Sequence, residues 1–322
     1  MELGVLTNLY ASKTLDETLE LLHTLGVTMA EIGCGGYPGK AHCDPEVLLH
    51  DEKAFNEFVA TFEKHEMKIS ALSCHGNPVH PNKEIAKSFH DDFINAILLA
   101  EKLGVDTVVG FSGCPGDSEG SKYPNWATCA WPDDYLSVLD YQWNEVLIPY
   151  WKETAAFAKA HGVNKIAFEM HPGFCVYNPE TLMRLRNAVG DVIGANFDPS
   201  HLIWQGIDPV AAIRYLKGAI YHFHAKDTKI DKINTAVNGV LDTKHYGDEL
   251  HRSWVFRACG YGNDATYWKD IVSALRLVGY DKVMSIEHED SLMSIDEGLF
   301  KAVEFLTPIL MYDAKPTTMG WA

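Results

Sequence analysis

Eight short apolar runs alternate with longer amphipathic stretches along the 322-residue chain, and this alternation constrains its fold more than any other feature. The strand candidates are 3–8, 30–34, 68–75, 106–113, 165–171, 193–198, 220–227 and 282–290. The first four are rich in Ile, Val, Leu and Ala with few charges, as parallel strands covered on both faces must be. Between them, TLDETLELLHTLGV (14–27) sets Leu15, Leu19, Leu22 and Leu25 on one helical face, with Thr14 as N-cap. The segment 82–105 shows the same spacing and ends in Gly104, a natural residue just past a helix end. Three further helices open with Asp or Asn followed by Pro, the favoured first helical residue. Eight β-then-α units predict an α/β protein, a single (βα)8 TIM barrel over residues 1–322. A doubly wound open sheet would carry a Gly-rich phosphate loop after its first strand, and NLYASKT offers none. Two long βα connections, about 112–138 and 228–264, are expected on the strands' C-terminal face.

Charge narrows the partners. Lys and Arg total 27 against 44 Asp and Glu, a net −17, so polyanions such as nucleic acid are repelled. Of six arginines, Arg184, Arg186, Arg214 and Arg276 fall in helix-like segments, leaving few to grip a phosphate. A neutral small molecule is the expected ligand. No run of about 18 apolar residues predicts a membrane span. Seven scattered cysteines without paired CxxC spacing suit reduced thiols, hence a cytoplasmic location.

In such a barrel, polar residues at the C-terminal ends of strands build the active site. The fifth strand ends Phe168-Glu169-Met170-His171, and the sixth ends at Asp198 with His201 three residues on. The seventh ends His222-Phe223-His224, followed by Lys226 and Asp227, and the eighth ends Glu287-His288-Glu289-Asp290. Four consecutive strands deliver acids or imidazoles to one rim. Taking one residue per strand gives Glu169, Asp198, His224 and Glu287. Three carboxylates held together repel one another unless a divalent cation removes the conflict. An O3N donor set suits Mn²⁺ best, with Mg²⁺ or Co²⁺ as alternatives, rather than a structural Zn²⁺. His201 and Asp227 are the adjoining candidates for substrate contact, and His75 at the end of the third strand is another. The 112–145 segment carries Trp126, Trp131 and Trp143 with three tyrosines. Such aromatic faces can bind the apolar face of a sugar, and Trp126 is the residue singled out there. GCGGYPG (33–39) reads as a tight βα loop, because no GK[ST] pattern follows.

The segments FEMHPG, NFDPSHL, HFHAKD and SIEHED, in this order, resemble the signature segments of the sugar isomerase/epimerase family with the xylose-isomerase-like barrel. The resemblance spans nearly the whole chain and includes ketose 3-epimerases and inosose-type enzymes. It implies that Glu169, Asp198, His224 and Glu287 hold the metal and that Glu169 and Glu287 also act as the acid/base pair. It further implies that His201 touches substrate and that Arg257, in VFRACGYG, is the substrate-side arginine. The family's DNA-repair endonucleases need a basic groove, which a charge of −17 does not provide. KYPNW, WPDDY and FEMHPG also resemble the catalytic subunits of bacterial C-glycoside deglycosidases, in which His171 would be the base.

The expected activity is therefore a metal-dependent sugar isomerase or epimerase that moves a proton next to the carbonyl of an unphosphorylated (keto)sugar. The alternative is a lyase that enolises a 3-keto C-glycoside and eliminates its aglycone. The expected assembly is a homo-oligomer or, on the lyase reading, a hetero-oligomer with a second small subunit.

Overall fold

The computed structural model describes residues 1–315. Eight parallel strands close into a barrel: β1 (Glu2–Leu6), β2 (Met29–Gly33), β3 (Lys68–Ser73), β4 (Thr107–Gly110), β5 (Lys165–Glu169), β6 (Ile193–Phe197), β7 (Ile220–Ala225) and β10 (Val283–Ile286). Sequence neighbours pair around the ring, and β1 pairs with β10 to close it. This is the (βα)8 barrel that the alternating pattern predicts.

The helices begin where cap chemistry places them. Thr14 and Glu17 form a reciprocal capping box at the start of the Leu15–Thr24 helix. Asn82 caps Lys83–Leu103, which ends at Gly104 in the left-handed conformation. Prolines 45, 179, 199 and 209 occupy first helical positions after Asp or Asn caps.

Two expected strands end early, with consequences for the site. The seventh stops at Ala225, and Asp227 begins a separate strand, β8 (Asp227–Ile230). β8 pairs antiparallel with β9 (Trp254–Arg257), so much of the second long connection is an ordered hairpin with a helix at Lys232–Asn238 between its strands. The eighth stops at Ile286, which leaves Glu287–Asp290 on the rim. In the first long connection, Asp134 already starts a helix that runs through a π-type turn, Tyr141–Leu147, into Ile148–Ala160.

Strand alternation divides polar from apolar within the barrel wall. Ala30 and Ile32, Ile166 and Phe168, Ala195 and Phe197, Phe223 and Ala225, and Met284 and Ile286 join the main hydrophobic core with Leu19, Leu22, Phe93, Trp151 and Trp268. The residues between them, Glu31, Ala167, Asn196, His224 and Ser285, occupy the opposite face and are buried. The apolar core therefore lies between sheet and helices, and the upper interior of the barrel is polar.

The loop after β2 shows how tightly the rim is built. Gly36 sits at φ +61°, and a Cβ there would lie 1.9 Å from the carbonyl oxygen of His75. The N–H of Tyr37 donates to the same oxygen at 2.8 Å. Gly36→Ala combines left-handed strain with a backbone clash, and should cost on the order of 2–5 kcal/mol of stability. Urea unfolding checks this; an unchanged midpoint would show that the loop shifts freely.

Candidate metal centre and substrate cavity

Four strand ends meet at the barrel mouth. Glu169 is the last residue of β5, His224 lies near the end of β7, and Asp198 and Glu287 directly follow β6 and β10. One ligand atom from each lies within 4.8 Å of those of the other three. That is the spread available to donors sharing one ion at about 2.0–2.4 Å each.

The hydrogen bonding of this cluster is incomplete in a way that fits a cation. Asp198 caps the helix Pro199–Trp204 by accepting from the N–H of Ser200 through Oδ1 at 2.8 Å. Its Oδ2 is buried 3.1 Å from the ammonium of Lys226 but outside hydrogen-bonding geometry, and Nδ1 of His224 is likewise buried without a hydrogen bond. That nitrogen lies 3.1 Å from Oε2 of Glu169 and 3.0 Å from Oε2 of Glu287, near them but outside hydrogen-bonding geometry. On the far side of the ring, Nε2 of His224 lies 3.0 and 2.9 Å from the two oxygens of Glu31. Burial opposes ionisation of Glu31, yet the neighbouring imidazoles His224 and His222 hold it well below the usual carboxylate range. An ionised carboxylate only accepts, so Nε2 carries a hydrogen toward Glu31, and Nδ1 is the nitrogen turned to Glu169 and Glu287.

Lys226, which sequence reasoning passed over, is the cation inside the cluster. Its ammonium is buried, 2.7 Å from Glu287, 3.1 Å from Asp198 and 3.1 Å from Glu289. One ammonium among these acids leaves the charge unbalanced, and the carboxyls respond unequally. Burial, with Glu169 and Glu287 nearby, pushes Asp198 up to about 7 despite Lys226. Burial would raise Glu169 as well, but Lys226 and three histidines hold it well below its ordinary value. Against the same burial, Lys226 and His224 draw Glu287 down to about 2. A divalent cation at the four donors would allow all of them to ionise together.

Three histidines surround Glu169. Nε2 of His201 lies 2.9 Å from Oε1 of Glu169 and 3.3 Å from Asp198, and burial pushes this imidazole down to about 3. His75 places Nε2 3.2 Å from Oε2 of Glu169. His171 packs at a 52° tilt against His201 with ring centroids 4.0 Å apart, and its Nδ1 faces the carbonyl oxygen of Pro172 at 2.6 Å. A carbonyl cannot donate, so Nδ1 of His171 holds the hydrogen and Nε2 keeps a free lone pair. Burial lowers its pKa and keeps the ring neutral near pH 7.

Above these groups opens a cavity of about 520 Å³, lined by Glu169, His171, His75, Glu287 and Glu289. Its walls are aromatic. Tyr37, Phe111 and Phe174 form one side, Phe111 and Phe174 being stacked at 4.2 Å, and Tyr246 and Phe256 form the other. The β8–β9 hairpin and the loop before β9 supply the second wall.

Four residues expected to contact substrate, His201, Asp227, Arg257 and Trp126, are not among those lining the cavity. Asp227 does not face the cavity: its carboxylate accepts from the N–H groups of Thr228, Gly260, Gly262 and Asn263 and from the side chains of Asn263 and Trp268. It anchors the hairpin. Arg257 donates through Nε to Asp290 at 2.8 Å and lies over Tyr261, away from the cavity lining. Trp126 packs edge-on against Tyr177 and lines a separate cavity of about 220 Å³ with Trp143. The aromatic contacts it was expected to make are supplied by Phe111, Phe174, Tyr246 and Phe256.

With this geometry in place, the comparison with known proteins is direct. Residues 19–309 match the family described as Xylose isomerase-like TIM barrel. The chain belongs to that family. It is 41% identical over 308 residues to the uncharacterized protein YfiH of Bacillus subtilis (strain 168), covering 95% of this chain and 98% of that one. Among solved structures, it superposes on a D-tagatose 3-epimerase-like protein with a TM-score of 0.63 at 20% identity, covering 96% of this chain and 98% of the other. The IolI protein with a bound zinc atom gives a TM-score of 0.62 at 21% identity, with 96% and 98% covered. These likenesses at low identity show a shared fold. No helix among the described residues is long and apolar enough to cross a membrane.

The charge imbalance is testable without substrate. Metal-free Lys226→Met leaves the buried Asp198 and the half-buried Glu287 without their ammonium, and should lose about 3–5 kcal/mol of unfolding free energy, the usual cost of breaking a buried pair. Added Mn²⁺ should restore much of it by supplying the missing charge. Equal metal-free stability of variant and wild type would refute this account of the cluster.

Proposed function

We propose that the protein is a divalent-metal-dependent sugar isomerase or epimerase, acting on an unphosphorylated (keto)sugar by proton transfer next to its carbonyl. The observation that carries this reading is the pair Glu169 and Glu287. Both line the cavity, and they come from strands β5 and β10 to place carboxylate oxygens 3.1 and 3.0 Å from one nitrogen, Nδ1 of His224. Asp198 Oδ2 and His224 Nδ1, both buried and both without a hydrogen bond of good geometry, support a site in which Glu169, Asp198, His224 and Glu287 hold one ion. The O3N donor set favours Mn²⁺, with Mg²⁺ and Co²⁺ of similar fit. When bound, such an ion would supply Lewis-acid polarisation of the sugar carbonyl and acidify the neighbouring C–H.

The protein's own groups account for the rest. Glu169 and Glu287 are both held ionised, so either can accept a proton. In an epimerase cycle one carboxylate would take the proton from carbon, and the other, once it has gained a proton from solvent, would return it to the opposite face. No Lys or Arg is among the residues lining the cavity. Lys226 is engaged by three carboxylates and Arg257 by Asp290, so no free cation stands ready for a phosphate. Apolar C–H faces of a neutral sugar suit the aromatic walls.

A second reading rests on His171. It lines the same cavity as a neutral imidazole with an open Nε2, outside the four-donor cluster. A base there suits a lyase that enolises a 3-keto C-glycoside and expels the aglycone, the electron pair of the broken bond leaving with it. The two readings separate in one experiment: the Mn²⁺-loaded protein incubated in deuterated water with ketoses, 3-keto glucosides and C-glycosides. Deuterium in recovered sugar is expected on the first reading, and released aglycone without it would overturn that reading.

Two variants complete the test. Asp198→Ala should lose at least about 100-fold in Mn²⁺ affinity, since outer contacts alone are worth 10–100-fold; full occupancy in this variant would remove the metal assignment. Glu287→Gln should abolish turnover, while His171→Ala keeps most of it. The reverse pattern, a loss of about 10²–10⁴-fold in His171→Ala, marks His171 as the base and favours the lyase.

A further inference from the structure

We propose that Glu31, in the middle of β2, is a positioning residue that sets the ring orientation and tautomer of His224 and thereby tightens binding of the divalent ion. The inference rests on the metal-centre reading above. Glu31 is fully buried in the barrel interior. Among the described residues its ion-pair partners are imidazoles alone: His224 at 2.9 Å and His222 at 3.8 Å. A buried carboxylate without a Lys or Arg partner is costly, so its place beneath the cluster calls for an explanation.

Its contacts supply one. Both oxygens face Nε2 of His224, Ser285 donates its hydroxyl at 2.7 Å, and the hydroxyl of Ser73 donates from β3. These donors come from three strands, β3, β7 and β10, and strand register fixes two of them: Ser285 pairs with His224 across β10 and β7. With its oxygens occupied in this way, Glu31 is poorly placed to ligate the ion itself, although it lies within reach of a second possible group with His222 and His224. What it can do is hold the Nε2–H of His224. That leaves Nδ1, 3.1 Å from Glu169 and 3.0 Å from Glu287, as the nitrogen available to an ion. Carboxylates behind metal-bound imidazoles act in this way, fixing the tautomer and increasing the donor strength of the other nitrogen.

A second line runs from the same residue toward Glu169. Nδ1 of His222 faces the amide oxygen of Asn196 at 3.0 Å, and the amide nitrogen of Asn196 donates to Oε2 of Glu169 at 3.4 Å. Glu31 thus sits at the foot of a polar network that reaches two of the four proposed ligands.

The test measures metal binding, not turnover. Mn²⁺ titration of Glu31→Gln should show an affinity 10–100-fold weaker than wild type, and Asp198→Ala is measured beside it. A purely structural role would lower the melting temperature of Glu31→Gln and leave Mn²⁺ affinity within about threefold; that result overturns the proposal. If Asp198→Ala also binds normally, the metal centre itself falls; if Asp198→Ala alone loses the ion, only the role of Glu31 falls. Should Glu31→Gln not fold, nitrogen-15 NMR of the Mg²⁺-loaded wild type decides. Hydrogen on Nε2 of His224 with Nδ1 bare supports the proposal, and hydrogen on Nδ1 overturns it.

Discussion

Everything at the rim follows from an excess of buried negative charge. Glu169, Asp198 and Glu287 converge within a few ångströms, Glu289 adjoins them, and among the described residues the only ammonium between them is that of Lys226. Carboxylates this close cannot all stay ionised unaided, and the upward shift of Asp198 shows where the balance fails. The fold bears this cost because the site rests on strand ends and a helix cap. Asp198, for example, is fixed both by β6 behind it and by the helix whose first N–H groups it caps. A closed barrel, with every strand paired on both sides, resists the splaying that charge repulsion would cause in an open sheet.

The same constraint explains the division of the barrel wall. The outer faces of the strands bury large apolar side chains against the helices, where most of the stabilising burial lies. The inner faces give up that contribution to carry Glu31, Asn196, His222, His224 and Ser285, each buried and each hydrogen-bonded. Buried polar groups are tolerated when their partners are supplied, and become expensive as soon as one is removed. The interior therefore works as one network, and a change at Glu31 is expected to be felt at the rim.

How much of this the sequence displayed depended on alternation. The barrel was legible because eight apolar runs recur between capped helices, and Glu169, Asp198, His224 and Glu287 were legible because one ionisable group closes each of four successive strands. Glu31 was less visible, lying within a short apolar run whose neighbours, Ala30 and Ile32, point to the core. The available signal was a single acid flanked by apolar residues in a strand expected to be buried on both faces. Lys226 was seen but not assigned, because nothing in one strand's sequence reveals that three acids from other strands surround it. Asp227 and Arg257 were misplaced for a common reason: the chain leaves the barrel after Ala225, and β8 pairs with β9, where Asp227 stands opposite Arg257. A strand read as continuous through Asp227 could not show that turn. Trp126 was misplaced because composition gives the aromatic content of a loop but not which face it presents.

The hairpin that defeated that reading is also what completes the cavity. Phe256 comes from β9, and Tyr246, from the loop before it, stacks on Phe256 at an interplanar angle of 15°. Asp227 ties the start of the hairpin to the 260–263 turn by accepting the N–H groups of Gly260, Gly262 and Asn263, so the wall rests on a buried carboxylate outside the cavity lining. Acids in this protein thus serve two purposes within a few residues of each other. Those gathered at the rim form the candidate site, and Asp227, supplied with backbone donors, holds a wall in place. An acid's sequence position at a strand end does not separate the two cases; the number of N–H groups the fold directs at it does.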